Sequence, residues 1–439
     1  MFSNMPPWMK EILKEFTKPP TFLHHHTYQK TGSSQPKSDK TGGDGDSYSN
    51  DGKKKVNRKH FSDDSSSPTD PPAKGKSASR KSKASTKSNG SGFALGTARS
   101  EEKDSLHPDY DMRVLQAYPF AVQNASVHQN IIKIETGKDA FLAFKATQLP
   151  AERILFMNRA LQYVRHKGFQ RFSPMVVTKQ GKAFVKDGVQ TYYVTRWIDG
   201  APVDFSQLTQ LGKTADTLAR FHESSIGFEL IGRHPKMAFD LYQRYLERSQ
   251  QMASYVHFLQ SKSKQTQTDK LIIKHAANFH QQASYALSLL KQPIVLKHLD
   301  REEDTPGLCH LDVVERNVIM HPSKQAYLID FDHMTYAPRV LDLAHLIRRG
   351  MQKTDWSSQV ALVSLINYNG IRPLAHPEYL ILEALLAFPH RWWRLLQMYA
   401  DTPSASIQPL LETMLHQETN RQQFLRSFSQ QVTRHKTVS

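Results

Sequence analysis

The hydrophobic pattern of this 439-residue chain changes its period once, and that change limits what the chain can fold into. Up to about residue 200, apolar side chains occur in strand-length runs separated by short turns. After residue 200, they recur every three or four residues, as they do on one face of a helix. The pattern therefore predicts an α+β fold with two lobes, in which a small antiparallel sheet is followed by a large helical lobe.

The predicted sheet lobe begins with a hairpin, whose strands cover residues 130–135 and 139–146. We expect Gly137 to supply the positive φ that the tight turn between them needs. A helix then begins at Pro150. Its predicted apolar face consists of Ile154, Leu155, Leu161 and Val164. Three further strands are predicted over residues 175–178, 183–186 and 190–197.

The predicted helical lobe is interrupted at one place. One helix ends near Phe221 and His222, another covers residues 269–290, and residues 356–429 have the pattern of a series of helices. Between these helices, residues 308–332 have the pattern of a loop, a strand, a turn and a second strand. A hairpin embedded among helices is unusual, and it is the first place to look for a functional site.

Residues 30–102 contain almost no aliphatic side chain and are rich in Ser, Lys, Gly, Asp and Pro. Such a segment cannot bury enough apolar surface to offset its chain entropy. We expect a disordered basic leader over residues 18–105, preceded by a short amphipathic helix over residues 1–17. That helix could dock onto its own domain or bind a partner. The folded lobes are expected over residues 106–200 and 201–435.

The net charge of +17 is compatible with a nucleic acid or another polyanion as a partner. No aromatic residue lies between Phe61 and Phe93, so the basic segment lacks a surface on which bases could stack. We therefore expect an acidic assembly rather than nucleic acid. The single cysteine, Cys309, excludes an intrachain disulfide and indicates synthesis in a reducing cytosol. No apolar run approaches the ~20 residues of a membrane span.

The most informative segment begins at His310 and has the pattern H-x-D-x-x-x-x-N, followed by an apolar strand and I-D-F-D. Phosphoryl transfer needs a carboxylate that orients or deprotonates the acceptor hydroxyl, and hard oxygen ligands for magnesium. Asp312 is suited to the first role, and Asn317 and Asp330 are suited to the second. Asp332 is a reserve metal ligand. We interpret His310 as a structural histidine that holds the loop, because Asp312 already serves the acceptor proton.

This block, together with Asp342-Leu343-Ala344, resembles the catalytic region of aminoglycoside phosphotransferases, choline kinases and homoserine kinases. Further segments make the chain similar to the spore-coat protein S family of endospore-forming bacteria. These segments are residues 143–145, 165–169, 178–181, 192–200, 218–222 and 388–394, and the similarity covers about residues 118–399. The resemblance implies a bilobal protein-kinase-like fold, ATP and Mg²⁺ as cofactors, and a place in the spore coat of the developing endospore after synthesis in the cytoplasm.

The resemblance also implies roles for individual residues of the sheet lobe. Lys145 on the second hairpin strand corresponds to the lysine that contacts the α and β phosphates of the nucleotide. The stretch Arg196-Trp197-Ile198 resembles the hinge between the lobes, whose backbone groups would pair with adenine. The three hinge side chains themselves indicate little, because the backbone makes these contacts.

Two departures from the family pattern keep more than one function open. Arg159 stands where such kinases usually place a glutamate that pairs with the lysine, and residues 122–135 lack the glycine usual in a phosphate-covering loop. The first hypothesis is an ATP-dependent phosphotransferase that acts on a hydroxyl of a small molecule or a coat component. The second is a structural spore-coat protein that keeps the fold as a docking module, held by its basic leader to coat proteins or another acidic assembly. A nucleic-acid-binding protein is the third.

Overall fold

The structure, a computed structural model, describes residues 110–128, 131–137, 140–228, 240–304, 307–404 and 406–436. The predicted helix over residues 1–17 and the predicted leader over residues 18–105 lie outside the described residues. Strands dominate up to residue 202 and helices dominate afterwards, so the predicted α+β class with a sheet lobe and a helical lobe is confirmed. Within the described ranges, no helix has the length and apolar character that crossing a membrane requires.

The sheet lobe contains β1 (Val122–His128), β2 (Ile131–Thr136), β3 (Ala140–Thr147), β4 (Met175–Val176), β5 (Val185–Asp187) and β6 (Gln190–Arg196). They form one antiparallel sheet in the order β1-β2-β3-β6-β4, with β5 also paired to β6. A short 3-10 helix, Met112–Ala117, precedes the sheet. Strand β1 was not predicted, because nearly all of its side chains are exposed and no apolar alternation marks it.

Two local predictions in this lobe are wrong. The φ angle of Gly137 does not lie in the left-handed region, so the turn after β2 does not depend on a positive φ there. Helix α1 (Ala151–His166) buries three of the four predicted apolar residues but leaves Leu155 exposed. The reason is helical geometry, since Leu155 is rotated by about 100° from the buried Ile154.

The helices of the second lobe are α2 (Leu208–Ser224), α3 (Leu241–Gln260), α4 (Gln267–Leu290), α5 (Pro293–Asp304), α6 (Val340–Lys353), α7 (Ser358–Asn369), α8 (His376–Ala387), α9 (His390–Asp401), α10 (Ile407–His416) and α11 (Glu418–Lys436). Helix α8 is the centre of this lobe, because its residues from Glu378 to Ala387 are all buried. It packs against α4, α5, α6 and α11. The predicted helices after residue 356 are therefore confirmed, whereas α3 and α5 were not predicted.

Short strands connect the two lobes and form the embedded hairpin. They are β7 (Ala201–Pro202), β8 (Leu308–Cys309), β9 (Val318–Met320), β10 (Ala326–Leu328) and β11 (Thr335–Tyr336). The predicted hairpin is β9 and β10, and β7 adds to its other edge in the order β10-β9-β7. Strand β11 pairs with β8. The segment that leaves the sheet lobe is thus hydrogen-bonded directly to the hairpin.

Gly200 makes this pairing possible. Its φ is +129°, and a Cβ atom at this position would lie 2.2 Å from the backbone oxygen of Met320 on β9. Neither the angle nor the distance is compatible with another residue. The close backbone approach therefore depends on a residue without a side chain.

We expect Gly200→Ala to lower the free energy of unfolding by about 3 kcal/mol, because backbone strain and a backbone clash add together. Gly168 is the matched control, since it also has a positive φ but a Cβ there would meet nothing within 4 Å. Gly168→Ala should cost about 1 kcal/mol from strain alone. Denaturant unfolding of both variants measures the difference, and equal losses would contradict the role of the close approach.

Helix α5 carries a partly buried carboxyl group, Glu302, whose buried Oε2 atom lies 3.7 Å from Nε2 of His298. Neither atom has a hydrogen-bond partner among the described residues. Burial first, and then the charge of Glu378, raises the pKa of Glu302 from 4.5 to about 7, although Arg339 acts in the opposite direction. The folded chain therefore retains a proton at Glu302 over a pH range in which the unfolded chain releases it.

This raised pKa predicts that Glu302 lowers stability as the pH rises from about 4.5 through 7. Glu302→Gln keeps the uncharged form at every pH, so the variant should be more stable than the parent by about 2 to 3 kcal/mol at pH 8. The advantage should vanish near pH 4.5. Unfolding free energies across this range test the expectation, with Glu303→Gln on the same helix as the control. A pH-independent difference would contradict it.

Candidate active site

The loop between β8 and β9 places a carboxylate and an amide side by side. Nδ2 of Asn317 donates a hydrogen bond to Oδ2 of Asp312 at 2.7 Å and another to the backbone oxygen of Asp312 at 3.1 Å. Nη2 of Arg316 lies 3.3 Å from the same Oδ2 atom. The side chain of Asp312 is therefore oriented by two neighbours from its own loop.

Asp342, on α6, anchors the start of this loop from inside the helical lobe. Its Oδ2 accepts the backbone N–H of His310 at 2.6 Å, and its Oδ1 accepts that of Leu311 at 2.8 Å. Leu311 has a φ of 61°, an uncommon conformation for a residue with a side chain. The two hydrogen bonds from the loop to Asp342 hold this strained turn in place immediately before Asp312.

The charge of Asp342 is itself supported by a buried histidine. Nε2 of His222 lies 3.0 Å from Oδ2 of Asp342, and Nδ1 of His222 lies 2.7 Å from the hydroxyl of Tyr368. Burial alone would raise the pKa of Asp342, but the hydrogen bonds that it accepts from His222 and from the backbone N–H of His310 bring it below its usual value. Burial lowers the pKa of His222. A neutral His222 that donates to Asp342 and accepts from Tyr368 satisfies all three groups.

His310 connects the loop to the hairpin. Its Nε2 lies 2.9 Å from the backbone oxygen of Ile329, and its Nδ1 accepts the backbone N–H of Asp312 at 3.3 Å. The backbone N–H of Ile329 in turn donates to the oxygen of Asn317 at 3.0 Å. These contacts support the interpretation of His310 as a structural histidine, and they place Asp330 next to Asn317.

The sheet lobe meets this hairpin through an ion pair. Nζ of Lys145, on β3, lies 2.5 Å from Oδ1 of Asp330, with side-chain exposures of 15% and 34%. Burial alone would raise the pKa of Asp330, but the charge and hydrogen bond of Lys145 lower it below its usual value. The structure therefore brings Lys145 and Asp330 together as a charged pair at the junction of the lobes. Arg159 is exposed, and the carboxylate that contacts Lys145 comes from Asp330.

Two residues that the sequence did not reveal hold Asp332. The hydroxyl of Tyr193 donates to Oδ1 of Asp332 at 2.5 Å, and Nη2 of Arg153 donates to its backbone oxygen at 3.1 Å. Tyr193 lies opposite Lys145 in the register of β3 and β6. Its place opposite Lys145 could have identified Tyr193 as a site residue. The sequence alone does not give that place, because the pairing of β3 with β6 must be known first. The carboxylate of Asp332 is thus directed to Tyr193, whereas Asp330 faces Lys145.

The predicted hinge uses most of its backbone groups internally. The N–H of Arg196 donates to the oxygen of Pro174 at 2.9 Å, and its oxygen accepts the hydroxyl of Ser173 at 2.5 Å. The N–H of Trp197 donates to the oxygen of Phe141 at 3.0 Å. The N–H of Ile198 makes no hydrogen bond to another described residue. Of the three hinge positions, Ile198 therefore offers the available donor.

The donor atoms of this site fit a hard divalent cation. In the described part of the chain, neither Oδ1 of Asn317 nor Oδ2 of Asp330 accepts a hydrogen bond. Carboxylate and amide oxygens of this kind are the ligands that Mg²⁺ prefers. The arrangement can combine a metal ion, a lysine that attracts phosphate and a carboxylate for a hydroxyl group.

Comparison with known proteins agrees with this geometry. The phosphotransferase enzyme family matches residues 123–369. Spore coat protein S of Bacillus subtilis is 24% identical over 292 residues, which cover 63% of this chain and 80% of that protein. The crystal structure of an aminoglycoside phosphotransferase from Alicyclobacillus acidocaldarius is 30% identical, covers 76% of this chain and 99% of its own, and superposes with a TM-score of 0.70. These similarities confirm the predicted family resemblance and kinase-like bilobal fold.

We expect Asp342→Ala to lower the free energy of unfolding by about 3 to 5 kcal/mol, because it leaves buried donors of the loop and of His222 without an acceptor. Asp300→Ala, at an exposed position on α5, is the control and should cost less than about 0.5 kcal/mol. Denaturant unfolding measures both variants. Similar small losses in the two variants would show that Asp342 does not anchor the loop.

Proposed function

The chain belongs to the phosphotransferase enzyme family, and from this premise we propose that it transfers the γ-phosphoryl group of ATP to a hydroxyl group of a small molecule or a coat component. The observation that carries the proposal is the ion pair between Lys145 and Asp330 across the two lobes, next to Asp312 and Asn317. The fold alone would not support this activity, because a protein can retain a fold after it has lost catalytic activity.

Each group at the lobe junction has a role in this proposal. ATP supplies the phosphoryl group, and Mg²⁺ neutralises the charge on its phosphates. Lys145 contacts the phosphates, and Asn317 and Asp330 offer oxygen atoms to the metal ion. Asp332, whose carboxylate accepts a hydrogen bond from Tyr193, is a further candidate ligand of the metal ion.

The hinge completes the nucleotide site. The available N–H of Ile198 pairs with adenine, while the internal hydrogen bonds of Arg196 and Trp197 hold the hinge backbone in position. The ring of Trp197 lies beside the imidazole of His128, with 5.2 Å between their centroids. The end of β1 therefore packs against the hinge.

Asp312 serves the acceptor. Its Oδ2 is occupied by Asn317 and Arg316, whereas its Oδ1 makes no hydrogen bond within the described residues. Oδ1 can therefore orient the acceptor hydroxyl and accept its proton during transfer.

A place in the spore coat is supported by the similarity to spore coat protein S of Bacillus subtilis. The second candidate function is that of a structural coat protein that keeps the fold without catalysis, with the basic leader bound to coat proteins or another acidic assembly. The observation in its favour is that Arg159 is exposed and no glutamate from that position pairs with Lys145. Lys145 pairs with Asp330 instead, and this pairing competes with the binding of a metal ion by Asp330.

We expect ATP with Mg²⁺ to raise the midpoint of thermal unfolding of the full chain, and Asp330→Ala to abolish that rise.

Asp312→Asn should keep the rise but lower the rate of phosphoryl transfer by about 100-fold or more, because it removes only the acceptor carboxylate. Asp300→Ala is the control for both measurements. Thermal unfolding monitors binding, and ADP release monitors turnover.

The two candidate functions differ in the first of these results. No rise of the midpoint in the parent protein would reject nucleotide-dependent transfer and favour the structural coat protein. A rise of the midpoint without ADP release in the presence of coat extract would indicate a coat protein that binds nucleotide but does not transfer phosphate.

A further inference from the structure

A cavity of about 870 Å³ lies beside the loop that carries Asp312. It is lined by residues 202–205 after the hinge, residues 314–316 of the loop, the last turn of α6, and Arg391 at the start of α9. One of the lining residues, Arg316, lies 3.3 Å from the carboxylate of Asp312. The cavity is therefore separated from the carboxylate of Asp312 by a single side chain, that of Arg316.

The charged side chains of this cavity are mainly basic. They are Arg316, Arg349, Lys353 and Arg391, opposed by Asp204 and Glu315. Both acids contact the same lysine, since Nζ of Lys353 lies 3.0 Å from Asp204 and 2.6 Å from Glu315. Arg349 and Arg391 form no salt bridge with any carboxylate of the described residues. Nη1 of Arg391 donates to Oε1 of Gln417 at 3.3 Å, so these two guanidinium groups lack an anionic partner rather than every contact.

A further arginine, Arg348, directly precedes Arg349 on α6. Arg348 lines a smaller cavity that shares Gln352 and Arg391 with the larger one. In the described ranges Arg348 has no carboxylate within salt-bridge distance, and burial together with the charges of Arg349 and Arg248 lowers its pKa to about 10. A partly buried guanidinium without an acidic partner is costly unless an anion compensates its charge.

We propose, on the basis of the proposed function, that this cavity binds the phosphoryl acceptor and that the acceptor is a small hydroxyl compound that also carries a carboxylate or phosphate group. Arg349 and Arg391 bind the anionic group, and the hydroxyl reaches Asp312. The hydroxyl oxygen bonds to the γ-phosphorus, the bond from that phosphorus to the β-γ bridging oxygen breaks, ADP leaves, and Asp312 takes the hydroxyl proton.

The size and charge of the cavity select among possible occupants. Its volume is in the range of sites for small molecules, about 300 to 1,000 Å³. An acceptor with several amino groups would be repelled by the uncompensated arginines. Planar guanidinium groups match carboxylate and phosphate in geometry as well as in charge.

Calorimetric binding of four sugars to the full chain without nucleotide tests this proposal. Glucose, glucosamine, glucuronate and glucose 6-phosphate share one skeleton and differ in charge. We expect the two anionic sugars to bind, and to bind about 10-fold more weakly or worse after the double substitution Arg349→Ala and Arg391→Ala. Arg394→Ala, an exposed arginine on α9 outside the cavity, should leave the affinity unchanged. Thermal unfolding confirms that each variant is folded.

The proposal is overturned if neither anionic sugar binds more tightly than glucose, or if the double variant and the Arg394→Ala variant bind anions as the parent does. Binding of poly-glutamate but of neither anionic sugar would assign the cavity to a protein partner and also overturn it. The rise of the unfolding midpoint with ATP and Mg²⁺ is measured in parallel. A normal rise without anion binding rejects the acceptor class alone. Anion binding without that rise rejects phosphoryl transfer, and with it the acceptor role of the cavity, although the anion site itself stands.

Discussion

The two hydrogen bonds that Asp342 accepts from the backbone of His310 and Leu311 determine the geometry of the candidate site. They fix the left-handed turn before Asp312, and Asp312 in turn receives the amide of Asn317. The backbone of Asn317 then contacts the end of β10, where the chain continues into the residue that pairs with the sheet lobe. A single buried carboxylate, kept ionised by a neutral histidine, thus supports a continuous series of contacts from the core to the junction of the lobes.

Sequence reasoning located the residues that are close together along the chain. Asp312, Asn317 and Asp330 lie within one continuous segment, so their spacing was sufficient to predict that they act together. The contacts of Asp332 with Tyr193 and Arg153 join residues that are 139 and 179 positions apart, and no local pattern indicates them. The same limit applies to strand β1, which carries no apolar alternation because nearly all of its side chains, on both faces, are exposed.

The ion pair at the lobe junction explains why two functions were open. In the predicted kinase arrangement, a glutamate of the first helix neutralises the lysine and leaves the metal carboxylate free. In this chain, Asp330 contacts the lysine itself, which stabilises the contact between lobes through a partly buried pair. The basic cavity beside the loop of Asp312 differs from this pair, because Arg349 and Arg391 have no carboxylate partner among the described residues. An anionic ligand would supply that partner.

The close approach at Gly200 also restricts how the linker between the lobes can vary. Only residues 197–200 separate β6 from β7, and both ends are fixed, one by the hydrogen bond of Arg196 to Pro174 and the other by that of Val203 to Val318. Each inserted residue would add up to about 3.5 Å of chain with no slack to absorb it. Insertions and deletions at this point would shift the hairpin against the sheet, so the length of the linker is as restricted as the residue at its end.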